Sequence, residues 1–284
     1  GNSPCPGAKN RCSNERQKIY DSHLAQSQSL KGNFDLVVWP ESSTGFNNDP
    51  GVHSRVRNDI STQALRLDSY FLIGGDRPVQ KEYFENYGIF INREGEIVDQ
   101  YLKQHPVPFG EYIPFISSLR GLIDFFDMPM SNVAHGSSIQ DNIKISSVDG
   151  VNFSPLICFD VAFGNTVRKS NISSNFIINV SNDTWFGKSM GPYQHLAITR
   201  IRAIENNKWI VRATNDGISA IITSNGTIVD KIDKNISGVI NSGINFTYKR
   251  SLYNIFGHYI PIILALTMLL TSFIINLCSK RKKN

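Results

Sequence analysis

"NFSPLICFD", residues 152–160, is a short apolar run that closes on a thiol, an aromatic ring and a carboxylate. A run of this length and composition reads as a buried strand, with Cys158 near its C-terminal end. The cysteine alone has two readings. It can be an inert thiol packed in a core, or a nucleophile presented at a strand end.

The neighbouring segments set the class of fold. "FDLVVW" (34–39) and "YFLIGGD" (70–76) read as further buried strands. "YGIFINREGEIVDQYLK" (87–103) reads as a hairpin with its turn at Arg93–Glu96. "FIINVS" (176–181) and residues 209–214 and 218–223 read as strands, with a hairpin through Asn225-Gly226. Helices are expected within 9–30 and over 54–69, 113–126, 161–170 and 192–207. Buried strands alternating with helices predict an α/β class with covered sheets, and the hairpins make those sheets mixed.

The 284 residues suit one large domain or two small ones, and 40% hydrophobic with 19% charged residues fits a folded core. Net charge is +5, from 29 basic and 24 acidic side chains. Lys280, Arg281, Lys282 and Lys283 cluster at the end, so the basic character is a tail effect and gives no argument for a nucleic-acid partner. Cys5, Cys12, Cys158 and Cys278 show neither a disulfide framework nor zinc-ligand spacing. Cys5 and Cys12 can pair in an oxidising compartment or stand as two free thiols. No metal or cofactor is expected.

"GHYIPIILALTMLLTSFIINLC" (257–278) has the length and apolarity of a membrane span, which takes about 20 residues. Tyr253, Phe256 and Tyr259 would form an interfacial belt at one end. "SKRKKN" follows at the other, and a basic flank of this kind stays in the cytoplasm. The domain before the span then lies on the opposite side, the periplasm in a Gram-negative cell. The competing reading is a buried core helix.

Three polar groups follow apolar strands, where open α/β sheets place ligands. Glu41 sits in "VVWPES", behind a proline that stiffens the turn. Lys103 opens "YLKQHPVPFGEYIP", a loop constrained by Pro106, Pro108 and Gly110 and ending on Glu111. Cys158 is the third. A thiol needs a base or a cation to become a thiolate. Glu41 could take the proton, and Lys103 could stabilise both the thiolate and a carbonyl oxyanion. His105 and His195 are the nearest candidates for a cysteine–histidine pair.

"WPES" with Glu41, "YLKQHPVPFGEYIP" with Lys103 and "ICFD" with Cys158 resemble, in order and spacing, the carbon–nitrogen hydrolase (nitrilase) superfamily. "SNDTWFGKSMGPYQH" (181–195), "RIRAIENNKWIVRATNDGISA" (200–220) and the C-terminal apolar stretch look like the apolipoprotein N-acyltransferases within it. The resemblance implies a nitrilase-like four-layer α-β-β-α sandwich followed by one transmembrane helix. Residues 1–250 would be the catalytic domain, without the family's first strand and membrane helices. Residues 256–279 would be the helix and 280–284 a cytoplasmic tail. The chain is thus expected to be the C-terminal portion of an inner-membrane enzyme whose catalytic domain is periplasmic.

The implied activity is transfer of a fatty acyl chain from a phospholipid to the N-terminal amine of a diacylglyceryl-cysteine apolipoprotein. Glu41 would be the base, Lys103 the oxyanion stabiliser and Cys158 the nucleophile. Glu111, Phe159 and Asp160 would support them. Trp185, Phe186 and His195 would serve as substrate or lid residues, together with "GLIDFFDMPM" (121–130). Asp160 and Thr184 depart from the family's usual Glu and small residue. The alternatives are an amidase-type carbon–nitrogen hydrolase and an inactive remnant of a split gene.

Overall fold

The structure is a computed structural model, and it describes residues 13–44, 51, 53–80, 83–108, 111 and 146–281. The helix expected over 113–126, the lid stretch 121–130, Cys5 and Cys12 lie outside the described residues.

Two sheets carry the fold. The first holds β1 (Leu36–Val38), β2 (Tyr70–Gln80), β3 (Tyr83–Ile91) and β4 (Ile97–Leu102) in that spatial order. β1 runs parallel to β2, and β2, β3 and β4 are antiparallel. The second sheet contains β5 (Ser146–Val148), β6 (Val151–Ile157), β7 (Phe176–Asn182), β8 (Ile210–Asn215), β9 (Ser219–Ile222) and β10 (Ile228–Ile232), ordered 10-9-8-7-6-5. β6, β7 and β8 are parallel, and hairpins close both edges.

Side chains alternate across each strand with period two, so each buried strand feeds two cores. Leu72 and Phe90 of the first sheet meet Phe153, Ile157, Ile178 and Val180 of the second, and this apolar layer joins the sheets face to face. Phe71, Ile73, Tyr87 and Ile89 point the other way. They pack under α1 (Ser13–Ser29) and α2 (Ser54–Leu67), through Tyr20, Val56, Ile60 and Ala64. On the far side, Leu156, Ile177 and Ile210 pack under α3 (Gly164–Ser170) and α4 (Gly191–Asn206), through Val167, Leu196 and Ala203. The result is helices, sheet, sheet, helices.

Strand by strand, the elements read from apolar runs occur within a few residues of expectation. The 87–103 hairpin turns where Gly95 donates to the Asn92 carbonyl at 3.0 Å, with Gly95 at φ +79°. Arg93 in this turn also reaches the other sheet. It pairs with Asp149 (2.6 Å), in the β5–β6 turn, and with Asp68 (3.3 Å) and Asp35 (3.7 Å).

β1 is an edge strand, and a cavity of about 670 Å³ opens beside it. Leu36, Val38 and Trp39 line one wall, Val211 and Ile221 the opposite one, and residues 236–246 contribute to the rest.

Beyond β10, α5 (Leu252–Phe256) is capped by Ser251, whose hydroxyl accepts from the Asn254 amide. α6 (Tyr259–Arg281) is built of the apolar C-terminal stretch. Among the described residues no helix is long and apolar enough to cross a membrane. The span expected over 256–279 is thus not shown among the described residues.

Gly74 in β2 fixes the approach of Glu41. A Cβ there would lie 2.5 Å from both the Pro40 carbonyl and Glu41 Cα, whereas one at Gly88 meets nothing closer than 3.7 Å. Gly74→Ala is therefore expected to destabilise the protein by about 1–3 kcal/mol through overpacking, and Gly88→Ala by much less. Denaturant unfolding of the two variants checks this difference.

Candidate active site

The parallel strands of both sheets end on the same side, and the polar groups collect there. Glu41 follows β1, Lys103 follows β4, Cys158 follows β6, and Asp183 and Asn215 stand at the ends of β7 and β8.

Lys103 is almost fully buried and lies between two buried carboxylates. Its Nζ donates to Glu41 Oε1 at 2.9 Å and to Glu111 Oε1 at 2.6 Å. Burial opposes the ammonium charge, but Glu111 and Glu41 outweigh it and hold the Lys103 pKa well above the ordinary value. An ammonium has three protons. Two are engaged among the described residues, and the third is available to the site.

Both carboxylates are themselves fixed. Glu41 also accepts from Asn86 Nδ2, and from the Asn182 amide of the other sheet at 2.6 Å. Asn215 Nδ2 donates to the Glu41 carbonyl at 2.6 Å. Glu111 Oε2 accepts from the Val107 amide at 2.7 Å, which folds the proline loop back on itself.

Cys158 begins a 3₁₀ turn, Cys158–Ala162, directly after β6. Its φ is +45°, a left-handed conformation that costs an ordinary residue roughly 1–2 kcal/mol. Such strain gathers where a side chain must be aimed. The thiol is buried, and burial followed by the Glu41 charge pushes its pKa well up, with Lys103 pulling the other way. The Cys158 thiol is thus neutral at rest.

Asp160 ties this turn to the Lys103 loop. It is fully buried and accepts from the amides of Ile157 (3.1 Å), Gln104 (3.1 Å) and His105 (2.8 Å), and from the Tyr101 hydroxyl (3.0 Å). Burial raises its pKa to about 6 against these donors and Lys103. Phe159 is partly buried and meets the Phe163 ring edge-on at 5.3 Å. Phe163 in turn stacks on His105 at 3.7 Å.

His195, expected among the substrate or lid residues, is buried beneath the Cys158 turn because α4 packs against the second sheet and aims it inward, and its ring meets Phe186 edge-on at 6.1 Å. Trp185 and Phe186 are exposed, on a 3₁₀ turn after β7. Sequence reading also missed Asp183, which is fully buried. It accepts from His195, Ser181 and Arg212. Arg212 and His195 overcome the cost of burial and lower its pKa to about 2. A signal for it did exist, since "NVSND" and "RATND" place an Asn-Asp pair at the end of two apolar strands.

Cys158, Asp183 and His195 bring thiol, carboxylate and imidazole atoms within 4.8 Å of one another; of the two histidines offered by the sequence, His195 is the one in this group. These are metal-binding atom types, but the Asp183 carboxylate is already shared among three partners, one of them the Arg212 cation. The donor set suits a hydrogen-bonded relay better than a cation.

The family profile described as carbon-nitrogen hydrolase matches residues 10–252. The chain belongs to the carbon–nitrogen hydrolase family. Among curated members, the apolipoprotein N-acyltransferase of Shewanella oneidensis is 33% identical over 254 residues, covering 84% of this chain and 48% of that protein. The enzyme of the same name from Pseudomonas aeruginosa is 36% identical over 213 residues, 74% of this chain and 40% of that protein. The chain thus spans about half the length of the curated relatives it matches. Among solved carbon–nitrogen hydrolase structures, an amidase of Nesterenkonia AN1 from the nitrilase superfamily superposes with a TM-score of 0.56 at 16% identity. That match covers 77% of this chain and 81% of the amidase, and it shows the fold.

A further buried carboxylate, Asp76, bonds to Ser42 and feels the charges of Glu41, Glu111 and Lys103. Asp76 is paired across β2–β3 with Asn86, and burial raises its pKa from 3.8 to about 7. A carboxylate whose folded pKa is raised contributes stability below its unfolded value, and that contribution is lost as pH rises through the folded value. Asp76→Asn is therefore expected to be more stable than wild type at pH about 8, by roughly 1–4 kcal/mol. The gap should close near pH 4. Unfolding midpoints at the two pH values check it, and a gap independent of pH would contradict the raised pKa.

Proposed function

We propose that this chain carries the catalytic domain of an apolipoprotein N-acyltransferase, with Cys158 as nucleophile, Glu41 as base and Lys103 as oxyanion stabiliser. One observation carries the assignment of roles: a buried ammonium clamped between two carboxylates, beside a neutral cysteine in a left-handed turn. The choice of reaction is supported by the relatives of that name at 33–36% identity.

The chemistry proceeds in two transfers. The Cys158 thiol attacks the ester carbonyl of a phospholipid, and its proton passes to Glu41. The oxyanion is stabilised by the free Lys103 proton, a contribution typically worth 10²–10³ in rate. Collapse expels the lysophospholipid alkoxide, which takes the proton back, and leaves a thioester on Sγ. The N-terminal amine of the apolipoprotein then attacks the thioester and gives its proton to Glu41, and Cys158 leaves as a thiolate that takes this proton back. A thiol suits both steps, as nucleophile and as leaving group. Glu111 keeps Lys103 oriented. Phe159 and Asp160 hold the turn, and Trp185 and Phe186 offer exposed apolar contact to acyl chains.

In this reading residues 1–250 are the catalytic domain, 256–279 the anchoring helix and 280–284 a cytoplasmic basic tail. The domain faces the periplasm and takes its phospholipid donor and lipoprotein acceptor from the inner membrane. Exposed Ile262, Leu266, Leu270 and Phe273 on α6 fit lipid contact.

Mass spectrometry after incubation with phospholipid vesicles tests the mechanism. One fatty acyl group should appear on Cys158 and be absent from Cys158→Ser. No adduct on the wild-type protein in vesicles would sink the acyltransferase reading. Lys103→Ala should slow adduct formation about 10²–10³-fold while the protein stays folded. An unchanged rate would remove Lys103 from the mechanism.

A further inference from the structure

The strained turn at Cys158 needs something to hold it, and the Asp160 carboxylate reaches it only through the Ile157 amide, its other bonds going to Tyr101, Gln104 and His105. The carbonyl of Cys158 itself faces His195 Nε2 at 3.2 Å. The other ring nitrogen, Nδ1, lies 2.8 Å from Asp183 Oδ1. Asp183 is held in turn by the Ser181 hydroxyl at 2.8 Å and by the buried Arg212 guanidinium at 2.9 Å. Arg212 is itself fixed by Asn179 and by Thr199, a residue of the same helix as His195. A continuous buried chain thus runs from β8, through the end of β7, to α4, and ends on the main chain of Cys158.

We propose that His195 is a positioning residue for the nucleophile: anchored through Asp183 to Arg212, it holds the Cys158 carbonyl and so sets the direction of Sγ. The proposal rests on Cys158 being the reactive residue, as in the reading above. Both partners of the ring are acceptors. Burial and the Arg212 charge lower the His195 pKa against the ionised Asp183, and a neutral ring carries one proton, so the bond to the Cys158 carbonyl is made when Nε2 holds it. Rotating this carbonyl changes φ and ψ around Cys158 and swings Cβ with it. A misplacement of about 1 Å at a reacting atom can cost 10²-fold in rate.

Two substitutions separate positioning from bulk packing. The amide nitrogen of His195→Gln reaches about as far as Nε2 and can still donate to the Cys158 carbonyl. That of His195→Asn reaches only as far as Nδ1. The intact chain in phospholipid vesicles is assayed for acyl-adduct formation on Cys158, with kcat and KM, and separately for alkylation of Cys158 by iodoacetamide, mapped by mass spectrometry. His195→Gln should stay close to wild type in both. His195→Asn should lose about 10–10²-fold in kcat and in alkylation rate, with KM unchanged. Equal loss in both variants with wild-type melting curves, or no loss in His195→Asn, overturns the proposal. If His195→Asn does not fold, His195→Gln decides: retained rates support positioning, and loss in a folded protein overturns it. Alkylation needs no acyl donor, so the two ideas fail differently. No acyl adduct on wild type with the alkylation ranking intact defeats the acyltransferase reading alone. A normal adduct with unranked alkylation defeats the positioning role alone.

Discussion

The structure turns on the placement of one ammonium. Lys103 brings a positive charge into an interior where an isolated charge would cost several kcal/mol after relaxation. Two carboxylates answer it, and they come from different places: Glu41 from the end of β1, Glu111 from the loop beyond β4. The ammonium stabilises each carboxylate in its buried place, and both carboxylates stabilise the ammonium. Glu41 extends the dependence across the sandwich, because its second oxygen takes the Asn182 amide at the end of β7. The charge cluster therefore requires both sheets to end at the same height, and the apolar layer of Leu72, Phe90, Phe153 and Ile178 keeps them there.

Asp160 carries the same logic into the nucleophile turn. Its carboxylate is shared by the Cys158 turn, through Ile157, and by the Lys103 loop, through Gln104 and His105. Thiol and ammonium are thus referenced to a single buried group. The resemblance implies Glu at this place. Here the shorter side chain reaches four donors, so Asp160 is fitted to its cage. It is wholly buried, and its role is to join two backbone segments.

Much of this arrangement is legible in the sequence, for a physical reason. Strands such as 152–157 and 176–181 are buried on both faces, so apolarity alone reveals them, and polar groups just beyond them fall at the functional edge. Glu41, Lys103 and Cys158 were found in that way. Asp183, Arg212 and Asn86 escaped because a buried ion pair or amide looks in sequence like any surface polar residue. Their burial is decided by partners 12 to 45 positions away. The burial of His195 escaped for a related reason. The sequence offers it as a candidate partner of Cys158 on a helix over 192–207, but only the packing of that helix turns it inward. β5, only three residues long, leaves no periodic signature.

The sandwich is pinned at both ends, by two kinds of contact. At the catalytic end the pin is the buried Glu41 network. At the other end it is Arg93, reaching from the β3–β4 turn to Asp149 of the second sheet, with Asp68 and Asp35 alongside. The aspartates there are 54–89% exposed, so counterions reach them, and at physiological ionic strength screening sets in over about 8 Å. The two ends thus respond differently to the medium. Salt weakens the distal clasp, while the pairs of Lys103 with Glu41 and Glu111, buried from solvent, are screened far less.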